Sequence, residues 1–272
     1  MASLSISQAW EETKARIAAD GRLMTVVAAA LIALPTLVSG VVSPQSPGAE
    51  ASLLTAIVVL ISSLLAIVGQ LAIIRLAIGP GVSVGEAIGH GARRMPIYVI
   101  AGITLALILF VAAIPLGLLL IALGIPLDRD AIAGSGVALL VICLFVALAL
   151  FLGTRMLMTS PVASEESSGP IAILRRSWEL TAGNFWRLFG FLIIFFIGAG
   201  IAALAVSWAF GFVALALLGP VEPMTASALV LALGEAIASA AITVVLGVML
   251  ARIYLQLAGR GALDVSVPSS GT

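Results

Sequence analysis

The chain has 272 residues, 62% hydrophobic and only 10% charged, with 13 basic residues balancing 13 acidic ones. Its mean hydropathy is +1.25; a soluble domain carries about 25% charged residues, so a water-soluble globule is excluded. Zero net charge removes any general attraction to nucleic acid, and a single cysteine, Cys143, excludes an intrachain disulfide or a thiolate metal cluster.

Residues 1–22 hold Glu11, Glu12, Lys14, Arg16, Asp20 and Arg22 ahead of any apolar run, so no cleavable leader is expected. Within them, Ser5-Ile-Ser-Gln8 fits a capping box, in which Ser closes the helix start and Gln reaches back three residues later. The segment it opens carries Ile6, Trp10, Thr13 and Ile17 on one face. A first span is predicted over 23–43, with Pro35 inside it, and a second over 51–79, with Arg75 near its end. Ser83-Val-Gly-Glu86 is a second capping box; it opens a segment with Val84, Ala87, Ile88 and Met95 on one face and His90 on the other. Spans over 96–125, with Pro115, and 131–158, ending near Arg155, follow. Gly169-Pro170 starts a third amphipathic segment, with Pro at the first helical position and Ile171, Leu174 and Trp178 on its apolar face. The last spans are 186–219, with Gly198 and Gly200, and 224–258, with Arg252.

Each span reaches the roughly 20 residues that a bilayer core requires. The 105–113 run does not alternate apolar with polar residues, which excludes barrel strands. The fold class is therefore all-α: a polytopic membrane protein of six transmembrane helices plus three interfacial amphipathic helices. The elements repeat as helix-plus-hairpin units over about 1–80, 81–160 and 161–260, a pseudo-threefold layout within one domain of residues 1–260. Residues 261–272 read as a disordered cytoplasmic tail.

Basic residues resist translocation. Lys14, Arg16, Arg22, Arg75, Arg93, Arg94, Arg155, Arg175, Arg176, Arg187, Arg252 and Arg260 all fall on one side of the predicted topology. Arg129 alone falls on the other, beside Glu50, Asp128, Asp130 and Glu222. Both termini are expected in the cytoplasm, the protein in a bacterial inner membrane.

The most specific string is Leu174-Arg175-Arg176-Ser177-Trp178-Glu179-Leu180-Thr181, followed by Gly183, Trp186 and Arg187, within 166–187. It resembles the signature of the membrane domain fused to some glycerophosphoryl diester phosphodiesterases, and of related six-helix bacterial inner-membrane proteins of unassigned function. The resemblance implies a membrane module linked to lipids. It implies no enzyme, because in the fused proteins catalysis belongs to a separate soluble barrel that this chain lacks.

Arg75, Arg155 and Arg252 each lie about 15 Å from a helix midpoint and are candidates for phospholipid headgroups, since guanidinium matches phosphate bidentately. The competing role is three separate snorkelling anchors. Arg175, Arg176 and Arg187 extend the headgroup candidates, and Trp10, Trp178 and Trp186 are candidate interface anchors. Arg175 and Glu179 are spaced to pair on one helix face. Glu235 is an intramembrane carboxylate beside Ala232, Ala236, Ser239, Ala240 and Thr243, either a proton or cation site or a hydrogen bonder between helices. His90, the only histidine, has no second histidine with which to hold a metal, and is expected on the solvated surface.

No catalytic residue, metal site or cofactor is expected. The function expected is a non-enzymatic inner-membrane protein associated with phospholipids or scaffolding a partner. The alternative is a small-molecule or ion transporter using Glu235. Loop 159–187 is the candidate surface for a protein partner; no nucleic acid is expected, and the oligomeric state is left open.

Overall fold

A computed structural model describes residues 4–43, 52–79, 81–125, 134–166 and 169–259. They form helices and turns, with no β-strand among the described residues. Hydrocarbon offers no partner to a backbone N–H or C=O, and a helix satisfies both within its own segment. In chain order the elements are α1 (Ile6–Ala28), a π-helical turn (Ala29–Ala33), α2 (Leu34–Val42), α3 (Leu53–Ile78), α4 (Val84–Ala122), α5 (Gly136–Arg155), α6 (Thr159–Glu165), α7 (Pro170–Thr181), α8 (Phe185–Leu218) and α9 (Ala226–Leu257).

Among the described residues, six stretches are long and apolar enough to cross a membrane: Ile6–Val42, Leu53–Ile78, Val84–Ala122, Gly136–Glu165, Phe185–Leu218 and Ala226–Leu257. That makes the chain a multi-pass membrane protein by length and composition. The expected 261–272 tail lies outside the described residues, as do Arg129 and Arg260.

The amphipathic segments differ from expectation. Only the third is a separate helix: α7 ends at Ala182, Gly183 takes φ +82°, and α8 starts afresh. The first runs without a break into its span through α1, the π turn and α2, and the second into its span through α4. Nothing between Ala18 and Met24 breaks a helix. Pro96 lies inside α4, and its missing N–H costs one bond without ending the helix. The π turn sits just before Pro35, whose ring would otherwise press on the carbonyl four residues back.

The capping boxes also differ from each other. The second is complete, with Ser83 Oγ accepting from the Glu86 N–H and Glu86 accepting from the Ser83 N–H. The first is half formed. Ser5 Oγ accepts from the Gln8 N–H, but the Ser5 N–H donates to Gln256 and the Gln8 side chain donates to Glu12.

Packing is unequal. α9 is the central post, flanked by α1–α2, α3 and α8. Glycines let the backbones close in: a Cβ on Gly40 would lie 2.8 Å from that of Ala232, and one on Gly234 would lie 2.6 Å from the Phe210 ring. In the most apolar windows, 33% of the α3 residues are buried within the chain, against 6% for α4 and α8. The side chains of α4, α5 and α8 are thus left largely to the surrounding hydrocarbon. α4 and α5 meet at one end through Leu120, Ala138 and Val141.

Gly91 gives a direct test of this packing, since a Cβ there would lie 2.6 Å from the Val68 carbonyl oxygen of α3. Gly91→Ala is expected to destabilise the protein in detergent by about 1–3 kcal/mol. Gly85→Ala on the same helix meets nothing within 4 Å and is expected to leave the thermal midpoint unchanged or slightly raised. Equal midpoints for the two variants would contradict the close α3–α4 approach.

The complete capping box is testable by titration. The Ser83 N–H first, and its hydroxyl second, hold the Glu86 carboxyl below its ordinary pKa. Its contribution to the helix start is present above the ordinary value and is lost as pH falls through the lowered one. Carboxyl-carbon NMR should place the Glu86 midpoint below that of a free glutamate, with Ser83→Ala moving it part of the way back.

Candidate functional site

Most described basic residues gather at one end of the bundle, built around the carboxyl terminus of α3. The last carbonyls of a helix have no partner of their own, and there the helix dipole favours a cation. Arg16 donates to Leu76 O at 2.7 Å and Gly79 O at 3.1 Å, and Arg252 donates to Ala77 O at 2.9 Å. Arg16 also pairs with Asp20 at 2.7 Å.

Against this end lies α6, whose residues Thr159 to Ser164 are all buried. It is held by polar contacts from several directions. Arg75 Nη1 donates to both Glu165 oxygens at 3.0 Å, and the Glu165 side chain is only 8% exposed. His90 Nε2 lies 2.6 Å from Ser164 O; a carbonyl can only accept, so that nitrogen carries the proton. His90 is thus half-buried and engaged rather than solvated. Glu166 accepts from Arg176 at 3.2 Å and from the Tyr254 hydroxyl at 3.1 Å. Of the expected partner loop, 159–164 is therefore interior, and the accessible part is the surface of α7 and the start of α8.

Arg155 is placed differently. Its guanidinium lies 4.8 Å from the Trp178 ring centre and 5.6 Å from those of Phe151 and Phe185. A cation over aromatic faces is favoured. Its own carbonyl accepts from the Ser177 and Thr181 hydroxyls, which fixes α7 against α5. Nε and Nη1 of Arg155 are buried and have no hydrogen-bond partner among the described residues. Beside it, a groove of about 590 Å³ opens between α5 and α8, lined by Leu150, Gly153, Thr154, Phe189, Leu192 and Phe196. Phe189 stacks on Phe185 at 5.7 Å, joining the groove wall to the ring cluster around Arg155.

The even-span arginines therefore do not converge on one phosphate. Arg75 is committed to Glu165, Arg252 to the end of α3, and Arg155 to its rings. Arg187 donates to Leu4 O at 2.9 Å, tying the start of the chain to α8. Arg175 pairs with Glu179 at 3.0 Å as the spacing requires, yet its side chain stays 81% exposed. Trp186 is 78% exposed, while Trp10 and Trp178 are partly covered. Glu235 lies away from this end. It is exposed on α9, in a polar cleft with Ser207, Ser239 and Thr243. Among the described residues, no three of His, Cys, Asp and Glu come together as metal ligands.

A family model matches residues 4–257, from the first described residue through the last helix. The chain belongs to the family described as Domain of unknown function (DUF7847). The match spans all six membrane-crossing stretches. It carries no link to the phosphodiesterase membrane domain that 166–187 resembles. No curated protein and no solved structure matches the chain.

Sequence reading missed Arg16 as a cap on α3 and missed α6 altogether. The Arg16–Asp20 spacing hinted at a helical pair, but nothing local points to a carbonyl 60 residues away.

The Arg75–Glu165 pair is nearly enclosed on one side, and breaking such a pair strands a charge. Either single substitution, Arg75→Gln or Glu165→Gln, should destabilise by about 2–4 kcal/mol. The double variant should lose less than the sum of the two, a coupling of roughly 1–3 kcal/mol in a double-mutant cycle of detergent unfolding. Additive losses would show that the pair does not hold α6.

Proposed function

We propose that this chain is a non-enzymatic multi-pass protein of the bacterial inner membrane, with both termini cytoplasmic, that holds anionic phospholipid at its basic end. The observation that carries this reading is Arg155. It is a guanidinium held over three rings, next in the chain to Thr154, which lines an apolar groove between α5 and α8. A lipid phosphate would meet the cation, and an acyl chain would lie along Leu192 and Phe196. Arg175 and Trp186, both on the outer surface, suit the headgroup layer beside it.

Positive residues retained on the cytoplasmic side support the orientation. Leu4 rests on Arg187, and Ser5 on Gln256, so the start of α1 and the end of α9 share the basic end. The non-catalytic reading is supported by the state of the reactive side chains. His90 is engaged with a backbone carbonyl, and Cys143 is exposed midway along an apolar span. The lipid link implied by the 166–187 string points the same way.

Native mass spectrometry tests the proposal. Wild type should retain anionic lipid through detergent exchange. Arg155→Gln should lower that retention by about 1.5–3 kcal/mol of binding free energy, the scale of hydrogen bonds to a charged group. Arg93→Gln, outside the groove, should not. Equal retention in wild type and Arg155→Gln would sink the reading.

A further inference from the structure

On the opposite side of α8 from the lipid groove, a second groove runs along α9. We infer that it binds a hydrophobic cation, with the positive group set against Glu235.

Glu235 lies nine residues into α9, about 14 Å from the helix start at 1.5 Å per residue. At that depth the neighbouring exposed residues Leu229, Leu233 and Ile237 are apolar. The carboxyl group is itself exposed, and it makes no hydrogen bond or ion pair with any described residue. A carboxylate facing hydrocarbon without a partner is costly, and such groups mark ligand or ion sites. Three hydroxyls, those of Ser207, Ser239 and Thr243, share a cavity of about 300 Å³ with it. Hydroxyl and carboxylate oxygens can all accept from or face a cation.

Ile242 lines both this polar cavity and a larger apolar one of about 640 Å³. The larger cavity continues past Gly198, Ala202 and Val245 to Met249, where Ile6 and Trp10 roof it. From Glu235 to Met249 is 14 residues, about 21 Å of helix. Taken together, the two neighbouring cavities are apolar over most of their lining, with a carboxylate toward one end.

That polarity selects the occupant. A phosphate headgroup would be repelled by Glu235. A second copy of the chain docked about a twofold axis would place the same patch on both partners and bring Glu235 toward its own counterpart. An amphiphile with an ammonium head and an alkyl tail matches both limbs. This site is independent of the lipid proposal: it uses Phe195 and Gly198 of α8, whereas the other groove uses Leu192 and Phe196.

The test is equilibrium dialysis of labelled dodecyltrimethylammonium against the full chain in phosphatidylcholine nanodiscs, with empty nanodiscs subtracted. Wild type should show saturable binding of one molecule per chain. Glu235→Gln keeps the shape and removes the charge; it should raise Kd by at least about tenfold. Ala202→Phe fills the apolar limb with Glu235 intact and should weaken binding likewise. Glu11→Gln, a charge loss on the exposed surface of α1, should change nothing. Matching thermal midpoints across the variants exclude misfolding as the cause. Absence of a saturable component in wild type, or a Kd for Glu235→Gln within about twofold of wild type, overturns the inference. A wild-type dimer in sedimentation that Glu235→Gln dissociates would assign the groove to a second copy and overturn it as well.

Discussion

A guanidinium is costly to bury in hydrocarbon, and a helix end is costly to leave there without partners. At the carboxyl terminus of α3 each cost offsets the other. Arg16, from the first helix, and Arg252, from the last, both donate to the helix-end carbonyls of residues 76–79. Three segments far apart in the chain are thereby drawn to one level. The same logic extends inward. Glu165 meets Arg75, Glu166 meets Arg176 and Tyr254, and Ser164 O receives His90. α6 is a short polar helix that could not be buried without these partners, since a buried polar group needs a hydrogen bond.

The rest of the bundle depends on where this knot leaves the helices. α3 and α9 are pinned centrally, and close glycine contacts draw α2, α4 and α8 onto them. α5 is bound mainly at its two ends: by the Leu120–Ala138–Val141 cluster at one, and by Arg155 with its ring cage and the α7 hydroxyls at the other. Between those ends its side chains turn to hydrocarbon. Grooves are the natural result on both faces of α8, whose neighbours touch it over only part of their length.

Those grooves differ in charge. One lies beside the ring-bound Arg155 at the basic end, and the other has a carboxylate near it toward the opposite end. A membrane protein with few charged residues places each of them at high cost. The lipid reading and the hydrophobic-cation reading each follow from one of them, and neither depends on the other.

Much of this was legible along the chain. The six spans follow from runs of apolar residues, because a bilayer demands about 20 of them per crossing wherever they occur. The complete Ser83–Glu86 box and the Arg175–Glu179 pair follow from local spacing, since both partners sit within one helix turn. The half-formed box at Ser5 shows where local reasoning ends. Its N–H is taken by Gln256, 251 residues away, and no spacing rule reaches that far. The arginine trio shows the same limit: each was recognisable as a cation near a helix end, but their separate partners were not. Composition and periodicity determined that the chain is helical, that it crosses a membrane, and where the charges fall along it. Only the tertiary structure decided which charges are consumed in holding helices together and which remain facing a cleft, because that depends on which distant carbonyl, carboxylate or ring arrives beside each side chain.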